Sequence, residues 1–428
     1  MTAPAFGYQS SRPLDDEVSV LGADFSKFGL VSTSDDADPA VFPPDVPVRF
    51  TSTDPAYLSK LGTGYLADAV RGINAQLNGK GGDIVIVRVP EGTGATAAAR
   101  LAATHARIIG SAGSKTGLYA LRAAPSEVKA TPRLIGVPGY TAQQPDGLLV
   151  SNPVVAALPE HLAALRAMCV VDVAAGTKEA AIAARETMSS QRMIPLGVAA
   201  RVYETINNES TLVTRPMSPR VLGLFARVDN EENQGKPFET IANRPIYGLA
   251  DINRPISFAL DDGATEGQLM LAQDISVVVR GESAVDAAIA DGGFFFIGTE
   301  SAERSDLWSQ FHQVRGADYI DLKAMRITRE FLGPRITPQR AEAWLNSLGF
   351  MLKDHVAATD LLGYRLTFPK ALNSVPEVRQ GRLKIVTEIE PAPSFRVATN
   401  ILRRYAPAVD ALVDAIIARA GTSSAVVS

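Results

Sequence analysis

The sequence predicts an α/β lobe followed by a smaller α+β unit, with extended arms at both ends. Three observations carry that prediction. Between about residues 95 and 298, helical runs alternate with apolar, β-branched runs, the pattern of a mainly parallel sheet with helices on its faces. Near residue 300 the character changes, and so does the charge: residues 1–299 carry a net −7 and residues 300–428 a net +3. The amino-terminal residues are under-packed, since Arg12-Pro13-Leu14-Asp15-Asp16-Glu17 combines proline and acid with little apolar content. The organisation expected is an arm over 1–22, the amino-terminal part of an inner core over 23–94, the α/β lobe over 95–299, the α+β domain over 300–393 and a strand or arm over 394–428.

Each element has its own signal. Phe25 to Val31 is a short apolar run, and the prolines of Pro43-Pro44-Asp45-Val46-Pro47 bias the approach to Phe50 towards extended chain. Leu66, Ala69, Val70, Ile73 and Leu77 recur at helical spacing, so a helix is expected from Tyr65 to Leu77, broken by Gly79-Lys80-Gly81-Gly82. Asp83 to Val89 is the strongest strand, β-branched and bounded by glycine and proline. Helices are then expected over Ala95–Ile109, Val154–Leu165, Thr177–Met188 and Ser218–Val228. Strands are expected over Arg133–Val137, Met168–Val173, Arg192–Val198, Ile275–Val279 and Phe294–Ile297. Beyond 300, helices are expected over Asp318–Phe331 and from Pro338. The second has Thr337 as N-cap and Ala341, Trp344, Leu345, Leu348 and Leu352 on one apolar stripe. Tyr364–Phe368 and Leu383–Glu390 read as short antiparallel strands, and Pro391-Ala392-Pro393 leads into Phe395–Ile401.

Composition narrows the function. The chain has 428 residues, 46% hydrophobic and 21% charged, enough for two or three packed lobes and inconsistent with disorder, collagen or coiled coil. With 42 basic against 46 acidic side chains, no global basic field recruits nucleic acid. The single cysteine, Cys169, excludes an internal disulfide framework; it sits in the apolar run Met168-Cys169-Val170-Val171 and reads as a buried structural thiol. No apolar stretch approaches the roughly 18 residues of a membrane span. Met1-Thr2-Ala3-Pro4-Ala5-Phe6-Gly7 lacks the regions of a secretory signal, so a cytoplasm-like compartment is expected.

The search for chemistry returns turns and solvated charge. Gly62-Thr63-Gly64-Tyr65-Leu66-Ala67 fits the loose G-x-G-x-x-A pattern, but a dinucleotide loop must be fed by a strand, and Pro55 to Leu61 looks helical. Gly79-Lys80-Gly81-Gly82 precedes its strand and lacks Walker spacing, so it too reads as a turn. His105, His161, His312 and His355 are far apart, three in expected helices and one beside Phe311, without the convergence a zinc site needs. Asp35-Asp36-Ala37-Asp38 and Asp229-Asn230-Glu231-Glu232 lack calcium-loop spacing and read as solvated loop charge. No G-x-S-x-G elbow occurs, and Arg326, Arg329, Arg335 and Arg340 lack interleaved stacking aromatics. No catalytic, cofactor-binding or metal-binding residue is therefore expected.

Several stretches in order resemble the contractile tail sheath proteins of bacteriophages. Gly81-Gly82-Asp83 through Val89 is similar to that family's glycine-led early strand, and Arg133-Leu134-Ile135-Gly136-Val137-Pro138-Gly139-Tyr140 to its leucine-isoleucine-x-x-proline-glycine segment. Val171-Asp172-Val173-Ala174 resembles its aspartate-x-proline loop, with Ala174 in place of the proline. Ser218-Pro219-Arg220-Val221-Leu222-Gly223-Leu224-Phe225-Ala226-Arg227-Val228-Asp229 is similar to the family helix serine-proline-x-x-x-x-glycine-x-x-alanine-arginine-x-aspartate, and Asn243-Arg244-Pro245 follows it. Leu307-Trp308 to Val314-Arg315 echoes the family's tryptophan-valine-arginine helix, whereas Phe238-Glu239-Thr240 lacks the usual tryptophan. The resemblance spans roughly residues 80–400.

The resemblance implies a non-enzymatic structural subunit with a subtilisin-like, non-catalytic α/β lobe and no cofactor. It would polymerise helically around an inner tail tube, between a baseplate and a tail terminator protein, in a virion tail assembled in the bacterial cytoplasm. Contraction would drive the tube through the envelope for genome delivery, with no nucleic-acid binding and no membrane insertion. Inter-subunit arms are expected at Val18 and Val20 and at Phe395, Val397, Thr399 and Ile401, on an acceptor edge at Leu383, Ile385 and Thr387. The alternative is that both ends are ordinary edge strands or frayed tails. Arg326 and Arg329, in the positive last third, are expected to face the tube. Two other readings stay open: the sheath of a phage-like bacteriocin or extracellular injection particle, and an α/β hydrolase-like or nucleotide-binding enzyme.

Overall fold

The computed structural model describes residues 24–420 apart from residues 146, 148 and 207, so Val18 and Val20 lie outside the described residues. The chain divides into Met1–Pro393 and Ser394–Ser428. The larger unit is built on six strands, β1 (Phe28–Thr33), β2 (Pro47–Thr51), β3 (Asp83–Val89), β4 (Leu134–Gly136), β5 (Met168–Asp172) and β6 (Met193–Leu196). Their spatial order is β2-β3-β1-β4-β5-β6, with β2 antiparallel to β3 and the other pairings parallel. Parallel strands covered on both faces demand continuous apolar runs, and Ile84 to Val89 is buried at every position. Cys169 lies in β5, fully buried, which pushes its thiol well above the ordinary range.

Local chemistry starts the helices of this unit: α1 (Pro55–Leu58), α2 (Tyr65–Gln76), α3 (Ala97–Ile109), α4 (Leu118–Glu127), α5 (Pro153–Leu165) and α6 (Lys178–Glu186). The side chains of Asp54, Thr96, Asn152 and Thr177 each accept a backbone N–H at the start of a helix, and Pro153 occupies the first turn of α5. Because α1 precedes the Gly62-Thr63-Gly64 loop, that loop is a turn between helices; Asp36 already takes the Thr63 N–H at 2.9 Å. α4 was not expected, since Pro125 interrupts its pattern, yet Leu118, Ala120, Leu121 and Ala124 form a buried face.

After the central sheet, β7 (Ala200–Ile206) and β8 (Glu209–Arg215) form a hairpin that the sequence reading passed over. α7 (Ser218–Glu232) follows, then β9 (Arg244–Ile246), β10 (Asp251–Ile252), α8 (Glu266–Leu271), β11 (Val277–Arg280) and β12 (Phe294–Ile297). β10 joins the hairpin as a three-stranded sheet, and β11-β12-β9 is a separate antiparallel sheet. The strands expected at Ile275–Val279 and Phe294–Ile297 pair antiparallel with each other, and Ser276, just ahead of β11, meets the end of β6 in a parallel bridge with Leu196.

Two longer helices complete the unit. α9 (Phe311–Arg329) begins seven residues before the expected start at Asp318, and α10 (Pro338–Ala357) starts where Thr337 accepts the Arg340 N–H. β13 (Leu361–Thr367) and β14 (Val386–Pro391) pair antiparallel, connected through α11 (Val375–Arg379). A second core gathers Ile320 and Ile327 of α9, Trp344, Leu348, Met351 and Leu352 of α10, and Leu361 of β13. Phe311 and Val314, near the start of α9, belong to the main core, so one helix enters both.

In the unit Ser394–Ser428, Phe395–Ile401 has no regular structure, and α12 (Ala406–Ala420) stands where only an arm was expected.

Candidate assembly interface

The family-like helix α7 is the hub of a buried polar framework. Its N-terminus has no side-chain cap of its own. Asp172, at the end of β5, accepts instead from the Met217 and Ser218 N–H groups at 3.1 and 2.9 Å and from the Ser218 hydroxyl. Burial raises the Asp172 pKa to about 6 against the pull of those donors. Further along, Arg220 donates to both oxygens of Asp68 in α2, a pair with 3% and 2% side-chain exposure. Gly223 lets α2 come close, because a Cβ there would lie 2.9 Å from the Ile73 carbonyl oxygen. Arg227 donates to Gln76 and the Pro245 carbonyl and lies over the Tyr247 ring, 4.4 Å from its centroid.

Asp229 corrects the sequence reading. Taken there as solvated loop charge, it lies in the last turns of α7, fully buried, and accepts a bidentate pair from Arg315 of α9. Burial raises its pKa and the guanidinium opposes the rise. Arg192–Asp318 and Arg166–Asp321 add two further ionic contacts to α9. The histidines are dispersed. His105 is a ring contact of Tyr140, His161 of Tyr119, and His312, which proves to be helical, bonds the Ala392 carbonyl at 3.1 Å. His355 contacts Asp360 at 2.8 Å. Burial depresses the pKa of His105, His161 and His312. Among the described residues, no three His, Cys, Asp or Glu side chains converge to hold a metal, and no helix is long and apolar enough to cross a membrane.

The surface is where unspent interaction lies. Phe395, Val397 and Ile401 are 89%, 79% and 71% exposed, and Thr399 is exposed beside them. On the proposed acceptor, Thr387 is an exposed residue of β14, whereas Leu383 and Ile385 precede that strand and pack partly buried on the second core. Arg326 and Arg329 occupy the last turn of α9; Arg326 is half-buried, and Arg329 is exposed, 3.3 Å from Glu330. α12 escaped the sequence reading although its signal was present: Val409, Leu412, Val413, Ile416 and Ile417 recur at helical spacing, and all are exposed.

No protein-family model matches the chain. It is 29% identical over 297 residues to the tail sheath protein of Escherichia phage P2, covering 68% of each chain. It is 25% identical to the major tail sheath protein of Serratia phage KSP20, over 92% of this chain and 94% of that one. Among solved structures, the contracted helical sheath of the anti-feeding prophage superposes with a TM-score of 0.63 at 15% identity, over 94% of this chain and 99% of that one. The contracted sheath of the extracellular contractile injection system PVC gives 0.63 at 12%. Fold and sequence likeness thus define a contractile sheath subunit. Its curated relatives are tail sheath proteins of bacteriophages.

Proposed function

We propose that this subunit polymerises head to tail into a helical sheath around an inner tail tube, in a virion tail assembled in the host cytoplasm, and contracts to drive the tube through the envelope for genome delivery. A head-to-tail contact that does not close generates an open helix, the geometry a sheath requires. The observation that carries the reading is the likeness to contractile sheaths over 94% of the chain, joined to an apolar carboxy-terminal segment left open to bind. Residues 1–22, with Val18 and Val20, and the stretch Phe395, Val397, Thr399 and Ile401 act as arms. They add to a neighbour's sheet edge near Leu383, Ile385 and Thr387, through backbone hydrogen bonds worth about 1 kcal/mol each. Two such arms per subunit keep the lattice connected while it tilts.

The α/β lobe over 95–299 is subtilisin-like in fold and non-catalytic, and it lies between the amino-terminal part of an inner core over 23–94 and an α+β domain over 300–393. Arg326 and Arg329 face an acidic tube surface through screenable pairs that release on firing. Baseplate and terminator proteins hold the two ends of the sheath. The likeness to the anti-feeding prophage and PVC sheaths supports a second context, an injection particle instead of a phage tail, which the neighbouring genes distinguish. Electron microscopy of the purified protein over a range of concentrations, alone and with its tube, tests the reading. Hollow helical tubes of uniform width are expected; discrete monomers or closed rings under both conditions overturn it.

A further inference from the structure

α12 is built to be covered. Val409, Leu412, Val413, Ile416 and Ile417 make one stripe, the far side carries Ala411, Ala415 and Ala418, and the charges are Asp410 and Asp414 on one flank and Arg419 on the other. A 15-residue helix is marginal in water by itself, and one that is apolar nearly all round belongs in a packed environment. Yet none of its residues is buried. A surface with the matching chemistry lies in the connection between β13 and β14. There Leu372, Val375 and Val378 are exposed, Val375 by 64%, around the short helix α11. Exposed in the same connection are Lys370, Arg379, Arg382 and Lys384, with Glu377 as its one acid, 4.0 Å from Arg382 and 3.1 Å from Lys384.

We propose that α12 is an inter-subunit helix whose apolar stripe packs on the α11 surface of a second copy of this chain, with Asp410 and Asp414 set against its basic side chains. The proposal rests on the homopolymer reading, which supplies the second copy. Two further considerations favour it. The twelve residues between Pro393 and Ala406 can span about 40 Å when extended, enough to leave the parent subunit. A segment at Phe395–Ile401 that adds to a neighbour's edge at Leu383–Thr387 also delivers α12, a few residues later, beside that neighbour's β13–β14 connection. Strand and helix then form one continuous contact, in which the strand sets register and the stripe and charges set the partner.

Cross-linking tests this directly, because Cys169 is buried and an introduced thiol is the one that reacts. Ile416→Cys and Val375→Cys are made singly, shown to melt like the unsubstituted protein, mixed, polymerised and oxidised. A disulfide dimer joining the two different chains is expected in the mixture, with little from either variant alone. Asp410→Arg with Asp414→Arg lowers its yield about tenfold, and Arg379→Asp with Arg382→Asp in the other chain restores it. Polymers that form without the inter-chain disulfide overturn the proposal and leave the homopolymer reading standing. A double variant, Ile416→Cys with Val375→Cys, that closes its disulfide only within one chain overturns it in favour of self-docking. Failure of the unsubstituted protein to polymerise, with or without its tube, removes the homopolymer reading and this proposal with it.

Discussion

Arg315 of α9 holds Asp229 of α7 in a bidentate pair, Nη1 to Oδ1 at 3.0 Å, with side chains 1% and 0% exposed across 86 residues of sequence. Removing one member leaves a buried, uncompensated charge. Arg315→Met should therefore cost about 3–5 kcal/mol in urea denaturation. Arg315→Met combined with Asp229→Leu should recover most of that loss, because the expense lies in the orphaned carboxylate and not in the absent pair. Equal losses in the single and double variants would refute this account.

Asp172 gives the stability a pH dependence. Its folded pKa is raised from 3.8 to about 6, so the folded state holds the proton more tightly than the unfolded chain. The associated stability is fully present below about pH 4 and is lost as pH rises to about 6; the two-unit difference corresponds to about 3 kcal/mol at most. Asp172→Asn, whose side-chain oxygen can still accept from the Met217 and Ser218 N–H groups, should flatten that part of the profile. Denaturation midpoints measured from pH 4 to 7 for both proteins check the difference.

Gly110 ends α3 at φ +70°, where a Cβ would also run into the Thr116 carbonyl. Gly110→Ala is expected to destabilise by about 2 kcal/mol or more. Thr337→Ala, which removes the α10 cap, should cost about 1 kcal/mol. Thermal melts rank the two, and a reversed order would show that the α3–α4 turn relaxes.

Deleting residues 2–20 should leave a subunit that melts normally but no longer polymerises, and Phe395→Asp with Val397→Asp should do the same. Sedimentation reads both outcomes, and normal polymers would take the arms out of the assembly.

Charge reversal of Arg326 and Arg329 to Glu should loosen co-assembly with the tube, more so at low salt. Co-assembly unchanged at every ionic strength would remove these residues from the contact.

What could be read from the sequence followed from the range of each signal. β3 and α10 were legible because the β-branched run, the Thr337 cap and the Trp344–Leu348–Leu352 stripe are local and agree with one another. α4 was hidden by Pro125, whose cost is offset by burying Leu118 and Leu121, a tertiary gain that no local pattern reports. The β7–β8 hairpin is largely solvent-facing, so it lacks the apolar run that marked the other strands. Asp229 was misread because an acidic run looks solvated until its partner is known, and Arg315 lies in a different helix. α12 was overlooked although its spacing was plain; what the sequence could not supply was the surface that covers it.

α9 lies in both cores, with Phe311 and Val314 in one and Ile320 and Ile327 in the other, and three ion pairs pin its flank. Mechanically it is a strut of about 28 Å, 19 residues at 1.5 Å each. A push received at the β13–β14 end reaches the central sheet as displacement, because the close-packed interiors at both ends of the strut are too stiff to soak it up. In the contracting sheath proposed above, work done at the seams between subunits is delivered as stroke and not dissipated within them.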